Sequence, residues 1–100
     1  MPKRKPLAPV KPQPGYEVVL QSHFLEDLLY WASFDSKISV RLVRLMAEIK
    51  RTPFEGTGKP ERLKHLGANI WSRRLTEADR VVYEVKDNAI HFLQARYHYT

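Results

Sequence analysis

Apolar residues along the chain fall into two helical stripes and several alternating runs, and together these predict an α+β domain. Residues 16–21 (YEVVLQ) form a short β-branched run that reads as a strand. Ser22 follows where a helix N-cap belongs, and Glu26 and Asp27 suit the positive end of a first helix. Phe24, Leu25, Leu28, Leu29 and Ala32 then recur at helical spacing. A second helix restarts at Asp35 or Ser36, where Ile38, Leu42, Leu45 and Ile49 make one apolar stripe at i, i+4, i+7 and i+11. Arg41 and Arg44 lie opposite that stripe, with Glu48 one turn beyond Arg44. Pro53 ends the helix.

Residues 53–69 read as a loop broken up by glycine and proline, with a short helical turn over 62–65. Three strands are predicted after it, at 70–75, 80–86 and 89–98. Asp87-Asn88 is the natural two-residue turn between the last two, since both residues tolerate positive φ. In that register Val82 faces Leu93 and Arg80 faces Ala95. Val81, Tyr83, Val85, Ile90 and Phe92 make the greasier face, which belongs under the helices. Arg80, Glu84, His91, Tyr97 and Tyr99 fall on the open face. The predicted fold is a two-helix hairpin on one face of a mostly antiparallel sheet of four or five strands. Strict alternation puts Arg80 and His98 on opposite faces. They can meet only if a bulge interrupts the last strand, or if His98 lies beyond the ladder.

Length and composition narrow the class. A chain of 100 residues supports one domain with a core of modest size. No apolar run approaches the roughly 18 residues of a membrane span, and the N-terminus has no apolar segment of a secretory signal. The absence of cysteine excludes disulfides and thiolate metal sites and suits a reducing cytoplasm. The formal charge of +6 is unevenly spread. Residues 1–15 carry Lys3, Arg4, Lys5 and Lys11 with no acid and five prolines, the composition of a flexible basic extension before a folded domain at 16–100. Residues 50–80 hold eight basic and four acidic groups, whereas residues 16–49 hold three and five. This polarity points to a polyanionic partner, because clustered Lys and Arg gain from releasing phosphate counterions.

The same segment holds the types needed to cleave RNA without a metal. That reaction wants a base for the 2′-hydroxyl, an acid for the departing 5′ oxygen and cations for the phosphorane. Glu61 is of the right type for the base. His98 suits the acid, since an imidazole with the ordinary pKa of about 6.5 is partly protonated at neutral pH. Arg80 and Arg74 offer planar two-donor contacts to phosphate, and Tyr99 can orient the phosphate or stack on a base. Taken alone, a glutamate in a basic loop is usually a salt-bridge partner and a histidine near a C-terminus is usually solvated. His91 reads as a surface partner of Glu84, His65 as a loop residue and His23 as part of the first helix start. No histidine spacing matches a metal motif, so neither metal nor cofactor is expected. Trp31 and Trp71 read as core or interface, with Trp71 the better stacking candidate.

RTPFEGTGKPERLKH, WSRRLTEADRVVYEV and the ending ARYHY resemble the Txe/YoeB family of RelE-superfamily messenger-RNA interferase toxins. The likeness covers about residues 16–99, weakly in the helices and closely from Arg51 onward, and includes the spacing between Glu61 and Arg80. It implies a helical pair on a curved sheet, RelE-like and akin to microbial ribonucleases. It also implies that the protein enters the ribosomal A site, cuts the messenger there and stops translation. The glutamate of the family's GKPE motif falls on Glu61 as base, and its arginine after the WSRR and TE segments falls on Arg80, stabilising the transition state. Its terminal histidine and tyrosine fall on His98 and Tyr99, acid and supporting group. Lys64, Arg73 and Arg74 match family basic positions and, with Lys59, are expected to bind RNA phosphates. The resemblance further implies a Phd/YefM-type antitoxin whose disordered tail covers the site, and a toxin homodimer. Residues 1–15 precede the family's usual start, and Thr100 extends its YHY ending. The competing reading is a module that binds RNA, the ribosome or an antitoxin without cutting, as a translation block or co-repressor. A degenerate relic is a third, opposed by the intact Glu61, Arg80, His98 and Tyr99 set.

Overall fold

The computed structural model describes residues 15–97, so residues 1–14 and the site candidates His98 and Tyr99 lie outside the described residues. The elements run in the order β1 (Glu17–Leu20), α1 (Ser22–Phe34), α2 (Ser36–Arg51), β2 (Glu61–Arg62), β3 (Ile70–Arg74), β4 (Arg80–Lys86) and β5 (Ala89–Gln94). Five strands form one sheet in the order β1-β5-β4-β3-β2. Every pairing is antiparallel except that of β1 with β5. The expected fold class, a helical pair on a mostly antiparallel sheet, is the one observed. Among the described residues no helix is long and apolar enough to cross a membrane.

Local chemistry explains the joints. Asp35 closes α1 through its backbone N–H to Trp31 O and opens α2, its side chain accepting from the Ile38 N–H at 3.4 Å. The start of α1 differs from expectation: Gln21 is the extended cap residue and makes no side-chain cap bond, while Ser22 is already helical. Lys50 and Arg51 occupy the last turn of α2, where cations complement the helix dipole. Asp87 and Asn88 both take positive φ in the β4–β5 turn, as their side chains allow.

The helix-facing core joins Phe24, Leu42, Leu45 and Ile49 to Val81, Tyr83, Ile90, Phe92 and Ala95. The α2 stripe packs as predicted, with Ile38 at its partly buried end. On α1 the stripe is narrower than expected. Phe24 is buried and Leu28 partly so, but Leu25 and Leu29 are exposed. Only one edge of the helix meets the sheet, which a spacing rule applied to an apolar-rich helix cannot resolve.

Two further features depart from the expected strands. In place of a helical turn at 62–65, Glu61 and Arg62 pair with Ser72 and Trp71 as a two-residue edge strand, and a tight turn follows over 63–66. The β4–β5 ladder keeps the expected register from Lys86↔Ala89 to Tyr83↔Phe92, then shifts so that Val82 pairs with Gln94. Leu93 is the extra residue of this bulge, and β5 stops at Gln94. The cause lies in α1. Asp27 accepts from the Ala95 N–H at 2.8 Å, and Trp31 Nε1 donates to the Ala95 carbonyl at 2.9 Å. Held at both backbone groups, Ala95 cannot continue the ladder in register.

Candidate active site

Direct pairing across a sheet puts side chains on one face, so the row Glu61–Ser72–Val82 shares a face, and Arg80, two residues before Val82, joins it. Arg80 emerges from the first position of β4. Its Nε donates to Ser72 Oγ at 2.8 Å and its Nη2 donates to the Lys59 carbonyl at 3.3 Å. These contacts hold the Arg80 side chain in place, and it is only 11% exposed. The same Nη2 lies 3.8 Å from Glu61 Oε2, while the Glu61 side chain stays 67% exposed. The pair is therefore loose and open on the carboxylate side, and the cation beside it is fixed.

The loop before Glu61 is shaped to present it. Gly58 takes φ +88°, and a Cβ there would come within 2.9 Å of the Arg74 carbonyl. Lys59 follows at φ 52°, an uncommon conformation for a side-chain-bearing residue, held by Arg80 through its carbonyl. Lys59 and Lys64 are exposed on either side of Glu61 along the chain. Arg74 is exposed and pairs directly with Arg80 in the β3–β4 ladder. Glu61, Arg80, Lys59 and Arg74 thus gather at one end of the sheet.

Arg73 does not join them. Consecutive strand residues face opposite ways, so Arg73 points under the helices and is fully buried. Its five N–H groups meet Tyr83 Oη, Glu48 Oε2 and the carbonyls of Thr52, Glu55 and Thr57. No donor is left for a phosphate, which corrects the expectation that Arg73 binds RNA. Tyr83 donates in turn to the Pro53 carbonyl at 2.6 Å, and burial pushes its phenol above the usual pKa, against the lowering effect of the Arg73 hydrogen bond and charge. Trp71, the stacking candidate, packs on Phe54 and the core and donates to Asn69 Oδ1 at 2.8 Å.

Some contributors carried no obvious sequence signal. Ser72 steadies Arg80. Asp79 accepts from the Tyr97 N–H at 2.7 Å, and the Arg80 N–H donates to the Tyr97 carbonyl at 3.2 Å. The chain thus enters its last three residues from beside Arg80. The Leu93 bulge turns it there, one of the two resolutions that the Arg80–His98 conflict required. Among the described residues no group of three or more His, Cys, Asp or Glu is placed to hold a metal ion.

Residues 20–99 match the family described as the YoeB-like toxin of bacterial type II toxin–antitoxin systems. The chain belongs to this family. Toxin YoeB of Streptomyces coelicolor is 45% identical over 82 residues, spanning 82% of this chain and 98% of that protein. A YoeB dimer from Staphylococcus aureus matches with a TM-score of 0.76 at 34% identity, over 84% of this chain and 98% of that one. A YoeB–YefM complex from the same organism matches at 0.73 and 34%, with the same coverage. The YoeB-like fold is thus shared across almost the whole length of these relatives.

Proposed function

We propose that this YoeB-like toxin is a ribosome-dependent endoribonuclease that cuts messenger RNA in the ribosomal A site and so inhibits translation in the cytoplasm. The observation that carries this reading is the Glu61–Arg80 pair at 3.8 Å, an exposed carboxylate beside a pre-set guanidinium. Glu61 removes the proton from the 2′-hydroxyl, whose oxygen attacks the adjacent phosphate. Arg80 stabilises the charge that grows on the phosphorane, already oriented by Ser72 and the Lys59 carbonyl. His98 protonates the departing 5′ oxygen and Tyr99 supports the phosphate. The anchoring of Tyr97 at Arg80 supports their arrival at the same phosphodiester. Lys59, Lys64 and Arg74 contact the RNA backbone. By likeness to the Staphylococcus complexes, the inhibitor is a YefM-type antitoxin and the free toxin is a dimer.

Mapping of messenger 5′ ends after induction tests the reading. New ends within codons are expected for the natural chain. Glu61→Gln, Arg80→Ala and His98→Gln are each expected to reduce their appearance by about 10²- to 10⁴-fold while the protein still folds. Arrested translation with ribosome binding but without new ends would instead favour a module that blocks without cutting.

A further inference from the structure

Residues 16–49 carry three basic side chains, Lys37, Arg41 and Arg44, and all three line one groove of about 380 Å³ beside α2. They fall at i, i+4 and i+7, a single stripe along the helix surface. Arg74, at the end of β3, contributes a fourth cation to the same groove. All four are exposed, and among the described residues none of them forms an ion pair. The carboxylate in the lining, Glu48, is already committed to buried Arg73 at 2.6 Å and to Thr57. Arg41 is pre-oriented, its Nη1 donating to the Leu75 carbonyl at 3.0 Å and its other donors remaining available. Four like charges around one groove repel each other, and a polyanion relieves that repulsion.

We propose that this groove is a second RNA-backbone site, which holds phosphates of the same strand whose cleavable bond lies at Glu61 and Arg80. The identity of the strand rests on the ribonuclease reading; the groove itself does not. Continuity carries the argument. Arg74 lines the groove and is the ladder partner of Arg80, so the track of cations passes round the end of β3, from the Glu61–Arg80 pair on one face of the sheet to α2 on the other. Three of its four groove cations are arginines, whose planar forks match phosphate oxygens. An acidic peptide would satisfy the groove's charge, but a strand that spans both sites uses the whole track.

The test measures binding of the full chain to labelled single-stranded oligoribonucleotides bearing 2′-O-methyl groups, which lack the attacking hydroxyl. A trinucleotide and a dodecamer are compared over a range of salt. The natural chain is expected to bind the dodecamer more tightly. Lys37→Ala/Arg44→Ala is expected to lose about tenfold of that gain, and its salt slope on the dodecamer is expected to flatten by about 0.7 per cation removed. Lys37→Arg is expected to keep both. Unchanged affinity and slope in the double variant would overturn the proposal, as would a loss confined to duplex RNA or to polyglutamate. If the double variant melts below the assay temperature, Lys37→Gln alone carries the same expectations. Cleavage is read separately, in Glu61→Gln. Should it still cut messenger, the ribonuclease reading fails while the groove's binding stands.

Discussion

Two glutamate–arginine pairs lie on opposite faces of the sheet, built from the same chemistry and put to different ends. Glu48 and Arg73 approach to 2.6 Å with the guanidinium fully buried, and every Arg73 donor is bound. Glu61 and Arg80 stand 3.8 Å apart with the carboxylate largely in water. The first pair closes on the loop from Thr52 to Thr57 and fastens it to α2 and β3. Gly56 lets the loop lie so close, since a Cβ at its φ of +126° would meet Arg73 Nη1 at 3.0 Å. The second pair has spare capacity on both partners, which is what a group that must accept a proton or a phosphate requires. A closed ion pair fixes a fold and an open one can serve a reaction, and the side of the strand decides which arises.

Breaking the closed pair should have the largest effect. Arg73→Ala removes a fully buried guanidinium with all five of its hydrogen bonds, and is expected to cost about 3–5 kcal/mol of stability by urea unfolding. Arg73→Lys should recover little, because one ammonium cannot reach five acceptors spread over α2, β4 and the loop. A loss below about 1 kcal/mol would mean that the loop is held by something else.

Tyr83, wedged into the closed pair, comes next. Removing its hydroxyl in Tyr83→Phe leaves the Pro53 carbonyl and an Arg73 donor without a partner, at about 1 kcal/mol. The same residue sets an alkaline limit. Its pKa is raised in the folded state above the ordinary 10.0, chiefly by burial, so folded protein holds the phenol proton more tightly than unfolded chain. That contribution is fully present below the ordinary value and is lost as pH rises through the raised one. Unfolding measured across this range should show a shallower alkaline decline in Tyr83→Phe; parallel declines would count against it.

The open pair should matter least to stability. Glu61→Gln is expected to shift the unfolding midpoint by less than about 1 kcal/mol equivalent, as exposed ion pairs contribute little. Paired with the loss of cleavage expected above, this would separate the two pairs cleanly. A large destabilisation would show that Glu61 is structural after all.

Much of this architecture was legible in residue order. The α2 stripe from Ile38 to Ile49, the alternation through β4 and β5 and the Asp87-Asn88 turn are local properties, each decided within a few residues. Local chemistry also marked Glu61 and Arg80. Strand β2 was not legible, since two residues become a strand only when β3 accepts them. The Leu93 bulge was open in the residues and decided by Asp27 and Trp31, more than sixty residues away along the chain. Adjacent Arg73 and Arg74 look equivalent in the sequence, yet one is locked inside and the other exposed.

The sequence by itself determined the element types, the core stripes and which side chains are chemically able to act, because periodicity and functional-group chemistry are carried by the residues themselves. Tertiary structure alone decided which arginine faces water, where the last strand breaks and which carboxylate stays open. Those outcomes depend on contacts between distant segments, and a sheet face is defined only once its neighbours are in place.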